Sequence, residues 1–248
     1  MPGNDTSTSS LPLVERLYRR LYRDQSLNGT TAFYNWIRAE LNPNCKVLNI
    51  GAGPSTRDNR RVLRGEVKEI VGVDVDPAVL LNDELDRAGT IVNGQIPEGD
   101  DYFDLVFADF VLEHVENPAM FLKEVHRVLK PGSSFFFRTP NLFHYVTLIS
   151  AVTPHWVHLR VANAARGMNM DAHEPWPTFY RMNRRKSLEK ATLAAGFSGI
   201  ELQMIEPEPS YMRRSLPLFL FGSAYERIVN STTALESLRV NILGKVKK

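Results

Sequence analysis

The sequence predicts an α/β fold, an open parallel sheet with helices on both faces. Three observations carry this. Short apolar runs alternate with segments of helical period; the first run leads into the glycine turn Asn49-Ile50-Gly51-Ala52-Gly53; and the run Ser134 to Thr139 is rich in phenylalanine, as suits a strand covered on both faces.

Each element follows from its pattern. Leu13, Val14, Leu17 and Leu21, then Phe33, Trp36, Ile37 and Leu41, recur at helical spacing with arginines between them, which predicts two N-terminal helices within 11–42. Asn42-Pro43-Asn44 ends the second, and Lys46 to Ile50 is a short strand running into Gly51-Ala52-Gly53-Pro54. Ile70 to Val75 reads as strand two, Pro77 to Leu85 as a helix, Thr90 to Val92 as strand three and Phe103 to Phe107 as strand four. Pro118 to Leu129 has the spacing of an amphipathic helix, stopped by Pro131-Gly132 before strand five, Ser134 to Thr139. Residues 141–186 break the alternation and read as an insertion over the sheet. Ser187 to Ala195 then reads as a helix capped at Ser187 and closed by Gly196, followed by a strand at Ile200 to Ile205, a helical segment from Leu218 to Leu238 and a last strand, Val240 to Val246.

Composition narrows the function classes. With 43% apolar residues in 248, the chain can bury a continuous core. A net charge of +2 lacks the concentrated positive field of a dedicated nucleic-acid binder, so no nucleic-acid partner is expected. The single cysteine, Cys45, excludes an intrachain disulfide and suits a reducing compartment, so the cytoplasm is the expected location. Residues 1–10 are polar and read as a disordered tail without a secretory signal. The longest apolar stretches fall well short of the roughly 20 residues that cross a bilayer, so no transmembrane helix is expected.

In open α/β sheets ligands bind at the carboxyl ends of the strands, where a glycine turn lets backbone approach them. Gly51, Ala52 and Gly53 occupy that turn, and Asp74 at the end of strand two stands where an acidic residue accepts hydrogen bonds from ribose hydroxyls. A dinucleotide fingerprint has a further glycine three places after the second; here that position is Thr56, and Pro54 interrupts the turn. A ligand with ribose and adenine but no pyrophosphate fits better.

The run Tyr102 to Val115, which includes Asp109 and His114, is followed by Arg127-Val128-Leu129-Lys130-Pro131-Gly132, Thr139-Pro140-Asn141 and the late Ala195-Gly196-Phe197. In these motifs the chain resembles class I S-adenosylmethionine (SAM)-dependent methyltransferases of the ubiquinone/menaquinone-biosynthesis-like group, the type 11 methyltransferase domain. The resemblance spans 44–140 and resumes over 186–205. It implies one Rossmann-like domain over 1–248, with a seven-stranded sheet in the order 3-2-1-4-5-7-6, strand seven antiparallel, and 141–186 as a substrate cap.

It also implies SAM as cofactor and a set of contacts. Gly51, Ala52 and Gly53 would face its methionine portion, Asp74 the ribose and Val75 the adenine. Asn93, with Gly94 beside it, would meet the adenine amine, and Ala108 and Asp109 would lie by the sulfonium. Asn49 stands where the family usually has an acid, and Ser55 replaces a common third glycine. An amide oxygen at Asn49 still accepts a hydrogen bond.

Methyl transfer chiefly requires alignment, and an oxygen or nitrogen acceptor must also lose a proton, a task suited to histidine. His114 and His144 are the candidate catalytic residues; the other reading of His114 is that it fixes the turn into the next helix. Tyr34, Phe110, Asn141 and Tyr145 are candidate acceptor contacts, although Phe33, Tyr34 and Trp36 also suit a buried helix face. His155, His158 and His173 belong to the insertion. No metal is required. Arg181, Arg184, Arg185, Lys186, Arg213 and Arg214 suit either an anionic substrate or membrane surface, or a solvated face. The expected acceptor is a small molecule, a sugar or natural-product intermediate, methylated on O or N and less readily on C; the chain would be a monomer or homodimer. A non-catalytic SAM-binding module and an NAD-dependent oxidoreductase are the alternatives.

Overall fold

A computed structural model of the chain describes residues 12–23, 28–145, 147, 148 and 176–248. The expected tail, most of the expected cap and with it His155, His158 and His173 lie outside the described residues. Seven strands form one sheet in the order β3-β2-β1-β4-β5-β7-β6. They are β1 (Lys46–Ile50), β2 (Glu69–Asp74), β3 (Arg87–Thr90), β4 (Phe103–Asp109), β5 (Leu129–Pro140), β6 (Ser198–Ile205) and β7 (Asn241–Lys247). β1 to β5 pair parallel with their neighbours, while β7 runs antiparallel to both β5 and β6. Both the order and the reversed last strand match the expectation.

The period of two along each strand divides the core into two layers. Leu48, Ile50, Val71, Val73, Val106, Phe135 and Phe137 face α3 (Pro118–Val128) and α4 (Arg185–Ala194), which contribute Leu122, Val125, Val128 and Leu188. Val47, Ile70, Leu105, Phe107 and Phe136 face α2 (Gly29–Arg38), which contributes Phe33, Tyr34 and Ile37. The phenylalanine run of β5 thus serves both faces. Trp36 meets Phe136 edge-on at 5.2 Å, and Phe33 and Tyr34 are buried, so these aromatics form a packed helix face. α1 (Leu13–Leu21) lies by α5 (Leu216–Asn230), with Tyr18 and Tyr22 each 6.3 Å from Phe219.

Several elements differ from expectation in their bounds. The segment from Pro77 is a short 3-10 turn, Pro77–Leu81, capped by Asp76, and it does not continue to Leu85. The next three side chains are drawn into the glycine loop instead. Asn82 donates to the Gly53 carbonyl at 2.9 Å, Asp83 accepts from Ser55 Oγ at 2.5 Å, and Glu84 accepts from the Arg57 N–H at 2.7 Å. β3 begins three residues earlier than the apolar trio Thr90 to Val92. Arg87, held by Glu69 at 2.7 Å and Glu98 at 2.8 Å, pairs with Val71, and Val92 already belongs to a tight turn with Gln95. The helical stretch expected over Leu218 to Leu238 is α5 followed by a separate 3-10 turn, Thr233–Leu238. Ser187 caps α4 from inside its first turn, where its hydroxyl accepts from the Arg184 N–H at 3.2 Å.

Candidate active site

The carboxyl ends of β1, β2 and β4 converge on the glycine loop. Gly51 and Gly53 have φ of +73° and +55°, a region where a Cβ is strained, so glycine is needed at both. Their surroundings differ. A Cβ on Gly51 would stand 2.3 Å from Val111 Cγ2, whereas one on Gly53 would meet only Asp74 Oδ2, at 4.0 Å. The open approach is therefore at Gly53. Asp74 ties the loop to β2: Oδ2 accepts from the Gly53 N–H and Oδ1 from the Asp76 N–H, each at 2.9 Å. A carboxylate has further lone pairs, so Asp74 can still accept from a ligand hydroxyl.

Around this loop the structure leaves apolar and polar surface open. Val75 is 53% exposed, and Asn93 and Gly94, with φ of +53° and +75°, form the exposed turn beyond β3. The Gly94 α-carbon faces Met120, which is also exposed. Residues 51–68 contain no helix, so no helix N-terminus follows the glycine turn. The adjacent Thr56 and Arg57 N–H groups both donate to Glu84, at 3.0 and 2.7 Å.

Beneath the loop, an enclosed space of about 40 Å³ is bordered by Tyr34, Asn49, Ala52, Arg61, Glu84 and Asp109. It has room for a few water molecules at most and is too small for a nucleoside. Tyr34 is buried, and burial, reinforced by the charge of Asp109, pushes its hydroxyl well above the ordinary tyrosine range.

Asp109 is not a free carboxylate on the wall of this space. It forms a two-pronged ion pair with Arg138 of β5, Nε to Oδ1 at 2.6 Å and Nη2 to Oδ2 at 2.7 Å, and Arg61 approaches to 3.4 Å. Arg138 is 2% exposed, and its guanidinium lies 4.5 Å from the ring centre of Phe110. Phe110 itself has φ +59°, an unusual conformation for a bulky residue of the kind found where a site imposes it. Sequence reasoning passed over Arg138 because it stands within a hydrophobic run; its place directly across from Asp109 in the β4–β5 register was the available signal.

Arg138 and Phe110 open onto a larger cavity of about 400 Å³, with Thr30, Tyr180, Glu208 and Val240 among its other walls. Asp109 lines the small space and Arg138 the large one, so their ion pair joins the two.

Glu113 is the second residue the sequence did not single out. It is 5% exposed; burial raises its carboxyl to about 7, against an opposing hydrogen bond from Thr139 Oγ1 at 3.0 Å. Its carbonyl accepts from the N–H groups of Phe179 and Tyr180, at 2.7 and 3.2 Å. Beside it, His114 Nδ1 lies 2.9 Å from the Pro177 carbonyl. A carbonyl only accepts, so Nδ1 donates, and the neutral ring keeps its lone pair on Nε2. These contacts tether 177–180 to the end of β4.

The remaining candidates are drawn into packing. Asn141, expected to contact the acceptor, is corrected by its geometry: Nδ2 donates to the carbonyls of Ser237 and Arg239 at 2.7 and 2.8 Å, and Oδ1 accepts from the Phe143 N–H at 3.2 Å, tying β5 to the chain entering β7. His144 is fully buried, with Nε2 3.5 Å from Glu206 Oε1 and its ring 4.3 Å from that of Tyr145, which in turn meets Tyr225 at 5.0 Å. Of the basic run, Arg181 is bonded to the Glu116 carbonyl, Arg185 to Glu236 at 3.0 Å, and Arg213 to Glu15. Among the described residues, no three His, Cys, Asp or Glu side chains gather as a metal site, and no helix is long and apolar enough to cross a membrane.

Comparison with known proteins agrees with this geometry. The ubiquinone biosynthesis O-methyltransferase of Pseudomonas syringae pv. tomato is 32% identical over 117 residues, 43% of this chain and 50% of that protein. The chain spans about half the length of the curated relatives it matches. Among solved structures, a SAM-dependent methyltransferase from Mesorhizobium loti is similar with a TM-score of 0.53 at 17% identity, covering 90% of this chain and 100% of that one. The [4+2]-cyclase SpnF is similar with a TM-score of 0.52 at 16% identity, covering 88% of this chain and 80% of that one. At these identities the solved structures share the fold. The methyltransferase domain family matches residues 48–137, the segment that holds most of β1 through β5 and the loops of the site.

Proposed function

We propose that the chain is a SAM-dependent methyltransferase acting on an oxygen or nitrogen of a small-molecule acceptor. The observation that carries this reading is that the segment matched by the methyltransferase domain family holds the left-handed glycine turn at Gly51 and Gly53, with Asp74 bonded to it and Val75 exposed beside it. The lack of a helix over 51–68 favours it over a dinucleotide enzyme, because a pyrophosphate is ordinarily received by a helix N-terminus after the glycine turn.

In this reading Gly53 admits the cofactor's methionine portion, Asn49 offers an amide oxygen to its ammonium group, Asp74 accepts from the ribose hydroxyls, and Val75 and Asn93 meet the adenine. When bound, SAM supplies an electrophilic methyl group, and the C–S bonding pair stays on sulfur as the acceptor's lone pair forms the new bond. The Asp109–Arg138 pair fixes the ends of β4 and β5 where that exchange takes place. We assign the base to His114, whose Nε2 is left with the lone pair and can take the acceptor's proton. His144, fully buried against Glu206, holds the scaffold instead.

Methyl-labelled SAM offered with a panel of phenols and primary amines tests the reading. Label is expected on at least one acceptor, and His114→Asn is expected to lower kcat about 100-fold or more with cofactor affinity unchanged. Tight SAM binding with no label transferred to any acceptor favours a binding-only module, a use compatible with a fold that also supports a cyclase.

A further inference from the structure

The 400 Å³ cavity carries a second observation, a buried acceptor atom without a partner. Glu208 is 7% exposed and forms one of the cavity walls. Its Oε1 accepts from Asn28 Nδ2 at 2.8 Å and from the Tyr18 hydroxyl at 3.4 Å, while Oε2 is buried with no hydrogen-bond partner. A buried carboxylate oxygen left unbonded is costly, and such a site favours a ligand that supplies the missing donor.

The charges around it have one sign in excess. Arg138, the cation in the wall, is neutralised by Asp109 at 2.6 Å. Arg60 lies close enough to feel Glu208, but its guanidinium is held by Asp58 at 2.8 Å. Glu208 is the carboxylate of the wall without such a partner. The remaining walls include the Phe110 face, Tyr180, Pro207 and Val240, which suit a flat apolar body.

We propose that this cavity receives the methyl acceptor, and that Glu208 Oε2 selects acceptors bearing a hydroxyl or ammonium donor next to a ring and rejects anionic ones. The inference rests on the methyltransferase reading, but the cavity's preference can be measured without turnover. Ligand-observed NMR titrations of the full chain would use benzylammonium, benzyl alcohol, toluene and benzoate as probes.

Benzylammonium and benzyl alcohol are expected to bind about tenfold or more tighter than benzoate. E208Q, which presents an amide N–H₂ where Oε2 stood, is expected to remove that advantage and leave toluene unchanged. Val240→Phe, which narrows the cavity from another wall, is expected to weaken binding of all the probes, and it decides the location even if E208Q fails to fold. Failure of both donor probes to bind, benzoate binding as tightly as benzylammonium, an E208Q profile like that of the wild type, or unchanged binding in Val240→Phe overturns the proposal. Calorimetry with SAM on the same samples separates the two readings. Probe selectivity without SAM binding sinks the methyltransferase reading alone, whereas SAM binding without selectivity sinks this one alone.

Discussion

Gly51 and Gly53 share a backbone conformation but not a purpose. Both need a left-handed backbone, but Val111 fills the space beside Gly51 whereas the space beside Gly53 is open. Gly51→Ala is therefore expected to lower the melting temperature, with a cost of roughly 1–3 kcal/mol from overpacking, and its binding defect is no test of the cofactor site. Gly53→Ala is expected to carry only the backbone strain, roughly 1 kcal/mol, and to weaken SAM binding about tenfold or more; unchanged affinity in the folded variant contradicts the placement. The glycines were legible in the sequence, but this division of labour was not, since Val111 lies 60 residues further along the chain. Asp109 was legible as a site position but its ion pair was not, because its partner Arg138 comes from the next strand. Arg138→Met is expected to cost roughly 3–5 kcal/mol in urea denaturation by stranding a buried charge, and adding Asp109→Asn to recover part of it. Equal loss in the single and double variants contradicts the ion pair's role.

Element boundaries were read best where packing dictates them. β1, β4 and α3 are set by apolar periodicity facing two covered layers, whereas β5 starts at Leu129, five residues before the expected Ser134. β3 and the turn at Pro77 are set by side-chain hydrogen bonds of Arg87, Asn82, Asp83 and Glu84, which leave no periodic trace. The junction after β4 holds Glu113, whose neutral form burial favours. Because its carboxyl is raised from 4.5 to about 7 in the folded chain, the native state binds more protons between those values. Stability is then highest at low pH as far as this group is concerned, and falls as pH rises from about 4.5 to about 7, by roughly 3 kcal/mol in all. Glu113→Gln is expected to remove this slope, measured as the difference in unfolding free energy between the two proteins from pH 5 to 8. A constant difference across that range contradicts the assignment.

For the whole molecule, the order of motifs along the chain carried the fold: the glycine turn, Asp74, the run around Asp109 and the pair Pro131-Gly132 arrive in the sequence that the sheet order β3-β2-β1-β4-β5-β7-β6 requires. The larger cavity was not legible in the same way. Its walls come from the cap of α2, the end of β4, the end of β5, Tyr180, the link after β6 and the start of β7, so only the folded sheet assembles them. The comparisons agree on the sheet and on the family of residues 48–137, while the cofactor is the claim on which the function depends. Calorimetric titration of the purified chain with SAM, its demethylated product S-adenosylhomocysteine and NAD tests that claim most directly. Saturable binding of SAM and S-adenosylhomocysteine with none of NAD is the predicted result; binding of NAD but of neither sulfur nucleoside would contradict it.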